Sequence, residues 1–279
     1  MAYKIIGDSC LDLTAELKKD PRFQMIPLTL QVDDTQVIDD QTFDQKAFLK
    51  LVKESPNCPK TACPSPESFK EAYECDEEWV FVLTLSNHLS GSYNSAALAK
   101  ELYVEEHGSK NIAVIDSLSA SSGELLLALK IRELCEAGKS FEEVVDEVSR
   151  TRDQMNTYFV LETLEFLRKN GRLTGLQAFF ATALNIKPVM GADKGTIIKL
   201  DQARGINKAL SRMVEIAVKD AGDTTEKRAV IAHCNNARRA EAVKEELCGK
   251  ASFKEVVITE TAGVATVYAG DGGIVLAIE

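Results

Sequence analysis

Two spacings of apolar residues alternate along the chain. Short continuous runs such as Tyr3 to Ile6, Trp79 to Leu85, Asn111 to Ile115 and Arg228 to His233 carry β-branched and aromatic members. Runs of that kind suit strands buried on both faces, as in a parallel sheet covered by helices. Between them lie segments with apolar residues three or four apart, the spacing of a helix face. Asp12 is placed to cap a helix from Leu13 to Lys19, and Thr42 or Asp44 one that turns Phe48, Leu49 and Val52 to the same side. Ser65 precedes a helix from Glu67 to Tyr73 with Pro66 in its first turn. A further helix over Glu124 to Ala137 stops at Gly138, and Ser140 opens one from Phe141 to Arg152. Phe23 to Val32 reads as a single strand in which Pro27 marks an edge or a bulge. Repeated strand, turn and helix predict an α/β domain with a parallel sheet over residues 1–154.

The texture changes from Thr157, and a second, mixed α/β domain is expected over 155–279. Tyr158 to Leu161 is a short strand, and a helix from Thr163 to Lys169 ends at Asn170-Gly171. Thr174 is placed to cap a helix from Leu176 to Leu184, and Ile186 to Met190 with Thr196 to Leu200 read as a hairpin around Gly191 to Gly195. Ile206, Ala209, Leu210, Met213, Val214 and Ala217 then form the stripe of an amphipathic helix. A strand Arg228 to His233, a helix Ala237 to Leu247 and a strand Glu255 to Ile258 follow. In the tail, AGDGG stands between two apolar stretches read as strands.

Composition narrows the function. With 45% hydrophobic and 27% charged residues the chain is an ordinary globular one, and its net charge of −10 argues against nucleic acid or an anionic membrane surface as the main partner. Arg204 to Arg212 is a segment able to form a local basic patch. No apolar run approaches the roughly 18 residues of a transmembrane helix. The N-terminus lacks a signal-peptide core, so a cytoplasmic location is expected. Seven scattered cysteines without a CxxC pair fit reduced thiols, and three histidines without ligand spacing give no metal site.

The chemistry concentrates in turns. After the run ending at Leu85, Ser86, Asn87, Ser90, Gly91, Ser92, Asn94 and Ser95 precede a helical pattern, and Ser117 to Gly123 repeats the arrangement. A helix start following a Ser/Gly turn gathers backbone N–H groups that suit a carboxylate or phosphate; the alternative is a well-capped turn. Asp8, at a strand's C-terminal end, is either a turn former or a ligand-edge residue. Ser55 to Pro66 holds four of the seven prolines and fixes a loop that presents Thr61. Arg172 and Arg204 stand just outside elements. No P-loop, Rossmann fingerprint, GxSxG or HExxH is present, and a triad of Ser90, His233 and Asp116 has no spacing to support it. Hydroxyls, amides and arginine are the means of holding a carboxylate by charge-assisted hydrogen bonds. The residues therefore favour a binder of an anionic head group over a self-sufficient enzyme.

Several segments resemble the DegV family, the fatty-acid-binding proteins also called FakB. IIGDSCLDLTAEL is similar to the family's IVTDSSSDLP opening, PKTACPSP to its PKTSQPSP loop, and SNHLSGSYNSA to its SGLSGTYQSA turn. VIDSLSASSGELLLA resembles VDSKSASMGEG, and FLRKNGRLTG with LNIKPVM resembles LKKGGRIS with LNIKPIL. The resemblance implies two α/β domains with a long-chain fatty acid in a tunnel between them, no cofactor, and delivery of the acid to a separate ATP-dependent kinase. It places the carboxylate at Thr61 and at Ser90, with Gly91 and Ser92 in the same turn. It implicates Arg172 and Arg204 in kinase docking or the phosphotransfer step. Two positions depart from the pattern: Ala62 replaces the loop serine, and VYAGDGG replaces THTGPG, putting Tyr268 at the histidine position and Asp271 at the proline. Tyr268 can still donate a hydroxyl hydrogen bond to a carboxylate, but it cannot become cationic.

Overall fold

The computed structural model describes residues 2–173 and 185–279; the helix expected over Leu176 to Leu184 and its cap Thr174 lie outside the described residues. The first half runs β1 (Tyr3–Asp8), β2 (Phe23–Ile26), β3 (Thr29–Val32), β4 (Thr35–Ile38), α1 (Gln45–Glu54), β5 (Lys60–Ala62) and α2 (Pro66–Tyr73). It continues with β6 (Trp79–Thr84), α3 (Ser92–His107), β7 (Asn111–Asp116), α4 (Ser122–Glu136) and α5 (Phe141–Gln154). Four of these strands form a parallel sheet in the order β2-β1-β6-β7. Residues of a strand face alternate sides, and β6 shows what that requires here. Val80 and Val82 pack on Phe69 and Tyr73 of α2 and Ala96 and Ala99 of α3, while Phe81 and Leu83 pack on α4 and α5. Both faces are covered, which is why the run is apolar throughout.

The second half contains β8 (Asn156–Val160), α6 (Glu165–Lys169), β9 (Ile186–Asp193), β10 (Thr196–Arg204), α7 (Ile206–Ala221) and β11 (Arg228–His233). It ends with α8 (Ala237–Lys250), β12 (Glu255–Glu260), α9 (Gly263–Ala269) and β13 (Ile274–Ile278). Six strands form a mixed sheet, β10-β9-β8-β13-β11-β12, in which only β11 and β12 run parallel. The β9–β10 hairpin is longer than the sequence pattern predicts. Its turn places Lys194 and Gly195 at φ of 46° and 81°, the double left-handed geometry that suits a tight hairpin. The stripe on α7 packs with α8 against one face of this sheet. The other face meets α4, whose Leu125 to Leu129 are all buried, in a core that also takes in Val230 and Ala277. A helix apolar on every side belongs between layers, and α4 is the layer shared by the two sheets.

Three expectations change. Phe23 to Val32 is two strands rather than one: β2 ends at Ile26, and β3 leaves for a small antiparallel sheet, β4-β3-β5. Pro27 has no N–H to continue the first ladder, and the next amide, Leu28, donates to Ser9 Oγ at 3.0 Å. The helix expected from Leu13 shrinks to a 3₁₀ turn, Leu17–Lys19. Its intended cap is occupied elsewhere, since the Asp12 carboxylate accepts from Ser121 Oγ and from the Ala262 amide, both at 2.5 Å. In the tail, AGDGG follows a helix, α9, and not a strand. The caps predicted at Asp44, Ser65 and Ser140 all form, with side chains accepting from the amides of Ala47, Ser68 and Glu143.

Candidate functional site

The turns that follow β6 and β7 lie at the C-terminal edge of the parallel sheet, where open α/β sheets receive ligands. Much of their hydroxyl content is internal scaffolding. Ser86 donates to the Gly195 carbonyl at 2.9 Å, tying this turn to the β9–β10 hairpin. A Cβ at Gly195 would stand 2.4 Å from Ser86 Oγ, so only glycine permits that approach. Asp116 accepts from the amides of Leu118 and Asn87. Ser119 Oγ and Thr157 Oγ1 are hydrogen-bonded at 2.6 Å.

Behind these turns is a cavity with about 860 Å³ of atom-free space, part of it open to solvent. Its wall is built from the first sheet's edge, the small sheet, α9 and the second sheet, with Leu28, Leu85, Phe159, Leu161, Ile197 and Val264 among the lining residues. Its polar lining residues include Thr61, Ser90, Arg172 and Tyr268, with Ser119, Ser121 and Thr157 bonded within the wall. Thr61 Oγ1 and Tyr268 Oη are 2.8 Å apart. The Arg172 guanidinium lies 5.4 Å from the centre of the Tyr268 ring, a cation–π stack. Arg172 Nε donates to the Leu89 carbonyl at 3.2 Å and Nη1 to that of Asn170 at 2.7 Å, so its direction is fixed by backbone. Burial raises the Tyr268 phenol above its ordinary value, although Thr61 and Arg172 pull the other way, and the group is a neutral hydroxyl.

The residues singled out from the sequence separate into three places. Thr61, Ser90, Tyr268 and Arg172 come together on the cavity wall, Arg172 beside Leu89 and the Tyr268 ring and not with Arg204. Ser92 is fully buried; its hydroxyl meets Ser90 Oγ at 3.1 Å and eases ionisation of Asp8, so it supports the turn from behind. Gly91 precedes α3, and a Cβ there would lie 3.1 Å from Cys63 Sγ, which lets the Thr61 loop close on the Ser90 turn. Arg204 is exposed at the end of β10, outside the cavity lining. Asp271 is exposed and accepts from Asn235 Nδ2. His233 accepts from the Asn236 amide; among the described residues it has no contact with Ser90 or Asp116.

Sequence reasoning missed a group of buried carboxyls close to this wall. Asp8, Asp12, Asp39 and Glu124 are all buried. Asp8 accepts from the amides of Cys10 and Leu85 at 3.0 Å each, yet burial outweighs both bonds and pushes its carboxyl up to about 6. Burial pushes Asp12 up to about 7. Glu124 is raised well above the carboxylate range, by burial first and by Asp8 next. Neither Glu124 oxygen has a hydrogen-bond partner among the described residues. The only available signal was a glutamate at the third position of α4, directly ahead of the apolar run Leu125 to Leu129. Among the described residues no cluster has a metal-binding arrangement, and no helix is long and apolar enough to cross a membrane.

Residues 2–279 match the family model described as "Uncharacterised protein, DegV family". A DegV domain-containing protein from Streptococcus pyogenes serotype M18 is 37% identical over 284 residues, covering 100% of each chain. A crystal structure of a DegV family protein from Ruminococcus gnavus, refined with vaccenic acid, is 48% identical and superimposes with a TM-score of 0.97 over 99% of both chains. The Streptococcus pneumoniae Fatty Acid Kinase (Fak) B3 protein loaded with linoleic acid is 35% identical, with a TM-score of 0.90 over 100% of this chain and 99% of that one.

Proposed function

The chain belongs to the DegV family, and from that premise we propose that it binds a long-chain fatty acid in the cavity between its two sheets and presents the carboxylate to a separate kinase. One observation carries the reading. The cavity wall is largely aliphatic and aromatic, its Ser90, Ser119, Ser121 and Thr157 hydroxyls are bonded within the protein, and Arg172 stacks on Tyr268 where that ring's hydroxyl meets Thr61. Two hydroxyl protons belong to Thr61 and Tyr268, and their mutual bond uses one of them. The other can go to a carboxylate. Arg172 supplies the positive charge, with Nη2 unpartnered among the described residues. The S. pneumoniae and R. gnavus neighbours hold acyl chains of the length this reading requires.

Burying the methylenes of a sixteen-carbon chain gains on the order of 10 kcal/mol before association costs, at about 0.8 kcal/mol per methylene. An acid held that well survives purification. Mass spectrometry of an organic extract of the folded recombinant protein is expected to find long-chain fatty acid near one equivalent; protein that is folded and free of acyl species would refute the assignment. The kinase step is supported by likeness to the S. pneumoniae protein and is separable by experiment. Exposed Arg204 lies outside the cavity wall. Arg204→Ala is expected to leave acyl content unchanged and to slow ATP-dependent acyl phosphate formation by a partner fatty acid kinase. Equal rates for both proteins would remove Arg204 from the docking surface.

A further inference from the structure

The helix that carries Tyr268 is held at its other end by two carboxyls from the first half of the chain. Asp39 Oδ1 accepts from the Gly263 amide at 2.6 Å, and Oδ2 accepts from the Val264 amide at 2.7 Å and from Ser9 Oγ at 2.8 Å. Asp12 Oδ1 accepts from the Ala262 amide and Oδ2 from Ser121 Oγ, while Thr259 Oγ1 donates to the Asp12 carbonyl at 2.9 Å. Three consecutive amides at the start of α9 are thus satisfied by side chains more than 220 residues away. The fit leaves no space: a Cβ on Gly263 would stand 2.5 Å from Asp39 Oδ1. Further along the same seven-residue helix, Val264, Ala265 and Tyr268 form part of the cavity wall.

We propose that Asp12 and Asp39 are positioning residues that dock α9 onto the first half of the chain, hold the Tyr268 hydroxyl against Thr61, and release the helix as the pair loses its proton. The direction follows from the surroundings. Asp8, Glu124 and the Cys10 and Cys234 thiols face the pair, and Lys18 is the cation nearby. Neither carboxyl forms an ion pair among the described residues. Two buried carboxyls without a counter-ion resist ionising together, and burial raises both, Asp12 to about 7. Undocking α9 would hydrate them and return them toward the ordinary carboxylate range. The docked state therefore binds the proton more tightly, and docking weakens as pH rises. The consequence for a bound acid rests on the fatty-acid reading; the docking itself does not.

Hydrogen–deuterium exchange of the full chain, washed free of lipid and corrected for intrinsic exchange rates, reads the docking directly. Protection of amides 262–264 is expected to fall about tenfold per pH unit above pH 7, the response of one ionising group. Asp12→Asn keeps both bonds, because its carbonyl can accept from Ala262 and its amide can donate to Ser121; it should stay protected and lose the pH dependence. Asp39→Asn must lose one bond, because both carboxylate oxygens accept from backbone amides, and it should be less protected at every pH. Wild-type protection that is flat with pH, or Asp12→Asn tracking wild type, would overturn the proposal. Added oleate should raise protection across 263–269. No response to oleate beside an intact pH dependence would refute the fatty-acid reading and leave the docking standing.

Discussion

Thr61→Val, Tyr268→Phe and Arg172→Met are each expected to weaken fatty-acid binding by roughly ten- to hundredfold, the value of one hydrogen bond to a charged group. Valine and phenylalanine remove a hydroxyl at nearly constant shape, so the aliphatic wall should be undisturbed. The Thr61 and Tyr268 losses should not add. Their hydroxyls share one hydrogen bond, so the double variant should depart from the sum of the two single losses. Arg172→Met should behave differently in salt. Its contribution is a charge at a partly exposed site, and the gap from wild type should narrow as ionic strength rises. Calorimetric titration beside melting curves checks all three. Unchanged affinity in Thr61→Val and Tyr268→Phe with a lowered melting temperature would make the pair a structural tie between the small sheet and α9.

What the sequence could show divides by the range of the interaction. Caps at Asp44, Ser65 and Ser140 were readable because donor and acceptor lie three residues apart. The parallel sheet was readable because burial on both faces imposes a continuous apolar run on β6. Asp12 has every local mark of a helix cap, yet its carboxylate accepts from Ala262, 250 residues on. Nothing in its neighbourhood could reveal that competitor. The same limit hid α9, whose Gly263, Ala265 and Ala269 are small because other elements press on them and so leave no periodic signal.

The candidate site shows this limit most sharply. Pattern alone singled out Thr61 as the polar side chain of a fixed loop, and it gave Tyr268 no weight. Family resemblance put both at one carboxylate, and they stand 2.8 Å apart across 207 residues. Resemblance also grouped Arg172 with Arg204, whereas the fold separates them by turning the first onto the Tyr268 ring and leaving the second in solvent. The Ser-rich turn divides as well: Ser90 lines the cavity, Ser86 ties two sheets together, and Ser92 backs Asp8. Residue type places a hydroxyl near a ligand edge, but only packing decides whether it faces the ligand.

The buried carboxyls give the ligand-free protein an unusual stability profile: it should lose stability as pH rises from about 5 to 8, where most proteins change little. Asp8 and Asp12 sit above their ordinary value in the folded state, at about 6 and about 7. A group raised by folding stabilises fully below its unfolded value, and that stability is lost as pH climbs through the folded one. At about 1.4 kcal/mol per pH unit, the cost of ionising in place is on the order of 3 kcal/mol for Asp8 and on the order of 4 kcal/mol for Asp12. The two do not simply add, because they titrate among Asp39 and Glu124. Surface carboxylates such as Asp20, lowered by Arg22, have the opposite sign but act only near and below pH 4, outside this window. His233, lowered by burial, also opposes the trend, since it favours the folded state more as pH rises through the imidazole range. Comparison with Glu124→Gln isolates the carboxyls. Glu124 is itself raised by burial, so a neutral amide, which cannot ionise in the unfolded chain, removes that residue's own share of the decline; the decline should become shallower. Urea unfolding of both proteins at half-unit steps supplies the test. Stability that rises through this window in the wild type would mean that the cluster ionises freely and has a counter-charge.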